Sequence, residues 1–488
     1  MRNRWNDTEA AACASALARR VYSSRLIGSE PALVLYGGGN TSLKAGEGAD
    51  RVLHVKGSGA DLGQVTEADF TPLALAPLLE LLRHDALPAA TLAEAVAPFV
   101  LRAGASKPSI ETLMHAALPW PYVEHTHATA VLAVCNTEEA QANVRAAFGG
   151  SVVMVPYRHS GFDLARACAA AYAEQDGQNA RGMVLMHHGA CAWGADARAS
   201  YEAMLGLANR AEAFLRERGA WELPEAQAPA ATIDAPRARV IARLRRDAAQ
   251  AAGRPLIVTP RDDAVIRAFA ARGDLGDITR HGPATPGHAI FTKCFPQLGR
   301  DVAAFSAAYA AHLGGTPLID RAPRVVLDAE LGLLGLGVNK FAADAAADIY
   351  RSDARVIARA QALGGYATIA PDLMLKAEIE YAGFETRVAQ REPQAGRVLL
   401  AADALAQRAQ IAEWLAAGGA VVALAADPAV TALAQGASYL GLHARADDAD
   451  DRARALAAAT RAFGGIDSVL HPSSWDDVFS PLLEFSLQ

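Results

Sequence analysis

Apolar and polar positions along this chain repeat in two rhythms, and the changes of rhythm mark its elements. Residues 8 to about 27 carry Ala11, Leu17, Val21 and Tyr22 at helical spacing behind Asp7, a residue suited to an N-cap. A strand is expected at Ala32-Leu33-Val34-Leu35-Tyr36, broken by Gly37-Gly38-Gly39-Asn40-Thr41-Ser42. A second, Arg51 to Lys56, ends in Gly57-Ser58-Gly59. The patterns over 72–83 and 91–102 predict helices, and Lys107-Pro108-Ser109-Ile110-Glu111 opens another, since Pro and Ser favour a first turn. Val123 to Ala128 and Gly182 to His188 read as strands rich in histidine, with Ser151 to Pro156 as a strand between them. A helix from about Arg198 to Arg218 follows.

Ala and Pro crowd residues 224 to 236, which read as a linker. Beyond it, Arg324 to Asp328 and Leu333 to Gly337 form a strand-turn-strand unit before a long alanine-rich helix from about Lys340. From about Gln394 the pattern is strand (Gly396 to Ala402), helix, strand (Ala420 to Leu424), helix (Arg452 to Phe463), strand (Ile466 to His471). That is the rhythm of a parallel sheet. Three domains are therefore expected, at 1–223, 237–393 and 394–488, in a chain of 488 residues that exceeds the usual limit for one core.

Composition narrows the partners. The hydrophobic fraction is 52% and the formal net charge −7, with no block of like charge. Nucleic acid and anionic membrane surfaces both call for clustered Lys and Arg, so neither is expected as a partner. The five cysteines are odd in number and lack a C-x-x-C spacing, which fits free thiols in a reducing compartment. The first residues have no apolar stretch behind their charges, and no apolar run approaches the ~20 residues of a membrane span. A cytoplasmic protein is the expectation.

The candidate chemistry sits in the histidine strands. His125 and His127, at i and i+2, point to the same face of a strand, the simplest local way to bring two imidazoles to one metal ion. The run ending in His187-His188-Gly189 offers a third; spacing alone does not choose between its two histidines. Three neutral nitrogens leave a coordination position open, as in a catalytic site. Glu111, at the start of a helix, offers a carboxylate to move a proton on a carbon beside a carbonyl. The two glycine-rich stretches present backbone N–H groups, hydroxyls and the cations Lys44 and Lys56, a set suited to phosphate or carboxylate, and neither has the Walker spacing. His54, His115, His159, His281 and His288 read as ordinary polar or core residues. Among them His115, four residues after Glu111, is placed to stand behind it.

In this order and combination, the first ~220 residues resemble the class II aldolase/adducin family. The resemblance implies a three-layer α/β/α domain, with His125, His127 and His188 as ligands of zinc or another divalent metal and Glu111 as the catalytic acid/base. It implies phosphate loops at Gly39, Asn40, Thr41, Ser58, Gly59 and Ser109. The substrate it implies is a small hydroxy-carbonyl compound, such as rhamnulose or fuculose 1-phosphate, and the assembly a homo-oligomer, commonly a tetramer. The reaction would be a carbon–carbon lyase step through a metal-stabilised enolate. The same scaffold serves epimerases, dehydratases and decarboxylases, and the non-catalytic adducin-like binding proteins are a further reading. Two positions depart from the pattern: Ile110 stands where the family has a second serine, and its tyrosine has no clear match, Tyr157 being a nearby candidate.

Leu35 to Ser42, Lys107 to Thr112, His188 to Gly194 and Gly282-Pro283-Ala284-Thr285-Pro286 look like the bifunctional rhamnulose-1-phosphate aldolase/alcohol dehydrogenase group. Asp344 to Tyr350 resembles it more loosely. In that group a short-chain dehydrogenase domain follows, and the tail resembles the front half of one, a partial Rossmann-like βαβ domain. Its first strand leads into Ala401-Ala402-Asp403-Ala404-Leu405-Ala406-Gln407, which has no glycine where a dinucleotide's pyrophosphate approaches, and no Tyr-x-x-x-Lys pair follows. The tail is expected to bind no NAD(P) and to serve in packing or oligomerisation.

Overall fold

The computed structural model describes residues 1–227, 233–316, 320–381 and 391–470. The chain forms two compact units. The first comprises Met1–Leu223 and Arg355–Ile369; the second comprises Pro224–Ala354 and the described residues from Ala370 on.

A seven-stranded sheet organises the first unit, from β1 (Asn40–Ala45), β2 (Val52–Lys56), β3 (Phe70–Ala74), β4 (Tyr122–Thr126), β5 (Val152–Val155), β6 (Gly182–Leu185) and β7 (Gly189–Gly194). Their order is β3-β2-β1-β4-β7-β6-β5, with every neighbouring pair antiparallel except β5–β6. β4 is therefore central, flanked by β1 and β7, and all five of its residues are buried. Because strand side chains alternate, the sheet has two distinct faces. Val123, Cys191 and Trp193 lie on one, in a core shared with Leu113 and Met114 of the helix Thr112–Ala117 and Leu164 and Cys168 of the helix Phe162–Glu174. On the other, Glu124 accepts a 2.6 Å bond from Arg20 of the helix Ala16–Gly28. Ser200, on the helix Ala197–Glu217, donates to the same Glu124 oxygen at 2.9 Å. Helices thus cover both faces of the sheet in an α/β arrangement of three layers.

The helix Ala197–Glu217 follows from its sequence: Asp196 caps it by accepting from Ala199 N–H, and Tyr201, Met204, Ala208, Ala211 and Leu215 recur on its buried side. The expected strand at Ala32–Tyr36 is not formed. Leu33 and Val34 are buried, but their N–H groups bond to Glu30 O and the segment turns, so its apolar character serves the core without joining the sheet. The strand begins at Asn40 instead, inside the stretch read as an anion loop. Residues 72–83 are likewise split, β3 giving way to a helix at Leu75–Leu81. The run to His188, read as one strand, ends its strand at Leu185, and Gly189 opens β7 after a tight turn.

Among the described residues, the second unit contains two four-stranded sheets. One, ordered β8-β11-β10-β9, comprises β8 (Ile257–Arg261), β9 (Gln297–Leu298), β10 (Val325–Asp328) and β11 (Gly332–Gly337); the last two are the expected strand-turn-strand. The other comprises β12 (Val398–Ala401), β13 (Ala420–Ala425), β14 (Tyr439–His443) and β15 (Ser468–Leu470), ordered β14-β13-β12-β15 and wholly parallel. The parallel rhythm read from the tail is present, with β14 as an added strand; His471 lies outside the described residues. Ile257 and Ala343 share one buried cluster with Val398, Leu400, Phe463 and Ile466. Arg245 of the helix Ala235–Ala252 reaches Leu256 O, Gly396 O and the Asp467 carboxylate. All five cysteines are free, four of them buried. Among the described residues, no helix is long and apolar enough to cross a membrane.

Candidate metal centre

β4 carries His125 on the face opposite Glu124, in register with Asn40 on β1 and Cys191 on β7. His127 follows one residue beyond the strand, and His188 sits in the β6–β7 turn. That turn decides between the two candidate histidines. His187 takes a left-handed φ of +59° and its Nδ1 pairs with Asn136 Oδ1 at 2.9 Å, while His188 turns inward. Gly189 permits the approach: a methyl group there would stand 2.3 Å from Thr126 O and 3.3 Å from the His127 ring.

One ring nitrogen from each of His125, His127 and His188 lies within 4.8 Å of the others. The His125 and His188 ring centroids are 4.9 Å apart, and those of His125 and His127 5.1 Å. His125 Nδ1 lies 3.1 Å from Ala190 O, which makes it the protonated nitrogen and leaves Nε2 with a lone pair. That Nε2 is buried with no hydrogen-bond partner. Such an orphaned polar atom costs about 1–3 kcal/mol, a cost that a bound cation removes. The donor set, three imidazoles with a carboxylate beside them, fits zinc or another borderline divalent ion.

Glu111 is the N-cap residue of the short helix Thr112–Ala117, and only 4% exposed. Its Oε1 lies 3.1 Å from His188 Nε2 and its Oε2 3.4 Å from His125 Nε2. Asn40 Nδ2 donates to Oε2 at 2.6 Å and to Ser109 Oγ at 3.0 Å. Burial raises the Glu111 carboxyl, but the His125 and His188 rings and the Asn40 amide outweigh it and hold it well below the usual carboxylate range. Burial also pushes His125 down to about 4, against the pull of Glu111. At neutral pH the pair is an anionic carboxylate beside a neutral imidazole, the forms a base and a metal ligand require.

The residues read as phosphate loops divide. Asn40 and Ser109 join the group around Glu111, and Gly39, at a φ of +64°, backs onto His125 O, 2.8 Å from where a Cβ would stand. Ser58 N donates to Lys107 O and Gly57 bridges to Pro108, so the exposed Ser58 and Gly59 lie beside the segment that carries Ser109. Thr41 is not brought in: it lies on the Glu124 face, fully buried, its hydroxyl hydrogen-bonded to Ser24 at 2.8 Å. Lys56 is 1% exposed and donates to Gly37 O at 2.9 Å and Ala60 O at 2.7 Å, clamping the two glycine stretches together. Lys44 is also buried, on Trp120 O. Ser42, one of the hydroxyls of the glycine-rich stretch, lies behind Asn40, two residues on along β1, and pairs with His115. Two participants left no signal in the sequence: Asn136, which turns His187 away, and Arg20, which anchors β4 from behind.

The sheet, its two helical layers and the buried cluster at the end of β4 define a class II aldolase type of α/β fold. Residues 19–215 match the class II aldolase and adducin N-terminal domain, and residues 235–387 match the second domain of class II aldolases. The chain belongs to the class II aldolase/adducin family. The N-terminal class II aldolase domain of a conserved protein from Thermoplasma acidophilum is 34% identical to it, over 44% of this chain and 100% of that one, with a TM-score of 0.41. L-fuculose-1-phosphate aldolase from Thermus thermophilus is 18% identical, over 41% of this chain and 96% of that one, with a TM-score of 0.29. An uncharacterized oxidoreductase of Bacillus subtilis, YuxG, is 26% identical over 395 residues, which is 75% of this chain. The chain spans 57% of that relative's length.

Proposed function

We propose that this chain is a divalent-metal-dependent lyase of the class II aldolase type, making or breaking a carbon–carbon bond in a small ketose phosphate such as rhamnulose or fuculose 1-phosphate. The observation that carries the reading is the Glu111 carboxylate, buried 3.1 Å from His188 Nε2 and 3.4 Å from His125 Nε2. His125, His127 and His188 would hold the ion. When bound, it would act as a Lewis acid on the hydroxyl and carbonyl oxygens of the substrate. Glu111 moves the proton on and off the carbon beside the carbonyl, oriented by the Asn40 amide. The Gly39 and Gly59 backbone N–H groups, with the Ser58 and Ser109 hydroxyls, take the anionic end of the substrate. Burial of Glu111, His125 and His188 keeps bulk water from them, which strengthens the interactions those three side chains make. A phosphorylated ketose is supported by the way the Gly57–Pro108 bridge sets the exposed Ser58–Gly59 loop beside Ser109.

The test is zinc-loaded protein offered a panel of ketose 1-phosphates and unphosphorylated hydroxy acids, with aldehyde and dihydroxyacetone phosphate as the products sought. Glu111→Gln is expected to keep stoichiometric metal and lose turnover by about 10²-fold or more, whereas His188→Ala loses both. Protein that binds no divalent ion, or turnover indifferent to chelator, would end the reading. Metal lost from Glu111→Gln would make that residue a ligand instead.

A further inference from the structure

Behind the Asn40 amide that orients Glu111 lie two polar side chains, Ser42 and His115, that the proton-transfer reading does not use. Ser42 Oγ lies 2.7 Å from His115 Nδ1, and His115 Nε2 is hydrogen-bonded to Asn40 Oδ1. Asn40 Nδ2 in turn donates to Glu111 Oε2. Ser42 and His115 are fully buried, and Asn40 and Glu111 are each 4% exposed, so water cannot substitute for a missing partner.

The direction of every bond in this line follows from its far end. An ionised carboxylate only accepts, so the Asn40 group facing it must be the NH2 and not the carbonyl. Asn40 Oδ1 then faces His115 and needs a donor, which requires the tautomer protonated on Nε2. Nδ1 is left bare, and the Ser42 hydroxyl is the group that donates to it. Donation runs one way, from Ser42 through His115 and Asn40 to Glu111.

The two ends of an asparagine amide are nearly the same size, so packing alone does not tell them apart. We infer that His115, held in place by Ser42, is a positioning residue that locks the Asn40 amide with its NH2 toward Glu111. The inference rests on the role proposed for Glu111. With His115 in place, a flipped Asn40 would set its carbonyl against the carboxylate and its NH2 against an N–H; both contacts are repulsive. Without His115, Asn40 loses the partner that holds its carbonyl end, and the carboxylate loses a fixed orientation toward the open coordination position. Residues of this kind act through another group, and their removal typically costs about 10–100-fold in activity.

The experiment uses the full chain, zinc-loaded and labelled with ¹⁵N at the histidine rings, with turnover followed as release of dihydroxyacetone phosphate. His115 should show the Nε2–H tautomer. His115→Phe should lower kcat about tenfold with KM and zinc content unmoved, and His115→Gln, whose amide can both donate to Asn40 and accept from Ser42, should restore most of it. Should His115→Phe fail to fold, Ser42→Ala keeps the inference exposed: the ring should stay on the Nε2–H tautomer that Asn40 requires, but without the hydrogen bond at Nδ1 that holds it in place, and kcat should fall a few-fold. A ring protonated on Nδ1 in the wild type, or a Ser42→Ala protein with unchanged kcat, would overturn it. So would full kcat in His115→Phe when Glu111→Gln is dead. If Glu111→Gln is fully active, or no ketose phosphate is cleaved, the role of Glu111 fails, and the ring tautomer still decides whether His115 holds Asn40.

Discussion

Single residues in this protein owe their roles to what they face more than to what they are. Lys44 and Lys56 stand beside glycine-rich turns and carry the charge a phosphate would want, yet both side chains are buried on backbone carbonyls. A buried ammonium costs free energy, so burial, with a smaller contribution from Arg51, lowers Lys44 to about 7 from its ordinary 10.5. The unfolded chain therefore binds more protons at this site between those two values, and the Lys44 contribution to stability rises with pH across that window. The penalty is fully present below pH 7 and relieved toward 10.5. Urea midpoints at pH 7 and 9.5 should rise more, or fall less, in the wild type than in Lys44→Met, because the buried thiols titrate in both. Equal differences would show that Lys44 is not held charged at a cost.

At the scale of elements, β4 is positioned from both faces. One face carries His125, and the other carries Glu124, paired with Arg20 inside the protein, both side chains with no exposure. Removing one partner of such a pair strands the other charge. Glu124→Ala should therefore destabilise the first unit by about 3–5 kcal/mol in urea unfolding, and a loss below ~1 kcal/mol would mean that water reaches Arg20. The β6–β7 turn is a second such device. Gly189→Ala forces a methyl group toward Thr126 O, so His188 should move out of register and zinc affinity should fall while His125 and His127 stay in place. Isothermal titration with zinc reads this directly; unchanged affinity would show that the turn relaxes elsewhere.

For the whole molecule, the parallel sheet of the second unit raises the question of a dinucleotide. β12 leads into residues 402–407 without a glycine, and Asp403 N–H is taken by the Gln407 side chain at 3.2 Å. A pyrophosphate needs bare backbone N–H groups at that turn, and an aspartate repels it. Fluorescence titration of the full chain with NADH should give no saturable binding, and tight binding would refute this. Arg245 gives the same sheet a structural part: it spans Leu256 O, Gly396 O and Asp467 within the second unit, contacts that require no ligand.

The i, i+2 spacing of His125 and His127, the place of Glu111 at the start of a helix and the parallel rhythm of the tail are local properties, and the sequence by itself determined them. Local spacing could not say whether His187 or His188 turns inward, because Asn136 and the close approach of Gly189 to Thr126 decide that, both from distant parts of the chain. Nor could it show that Ala32–Tyr36 turns while Asn40–Ala45 pairs, since an apolar run is equally content buried without a ladder. Thr41 and Lys56 were legible as polar groups beside glycines, but which face of the sheet each occupies is set by register across β1 and by strands that meet only in the folded protein. Side-chain chemistry is written residue by residue; its direction is a property of the sheet.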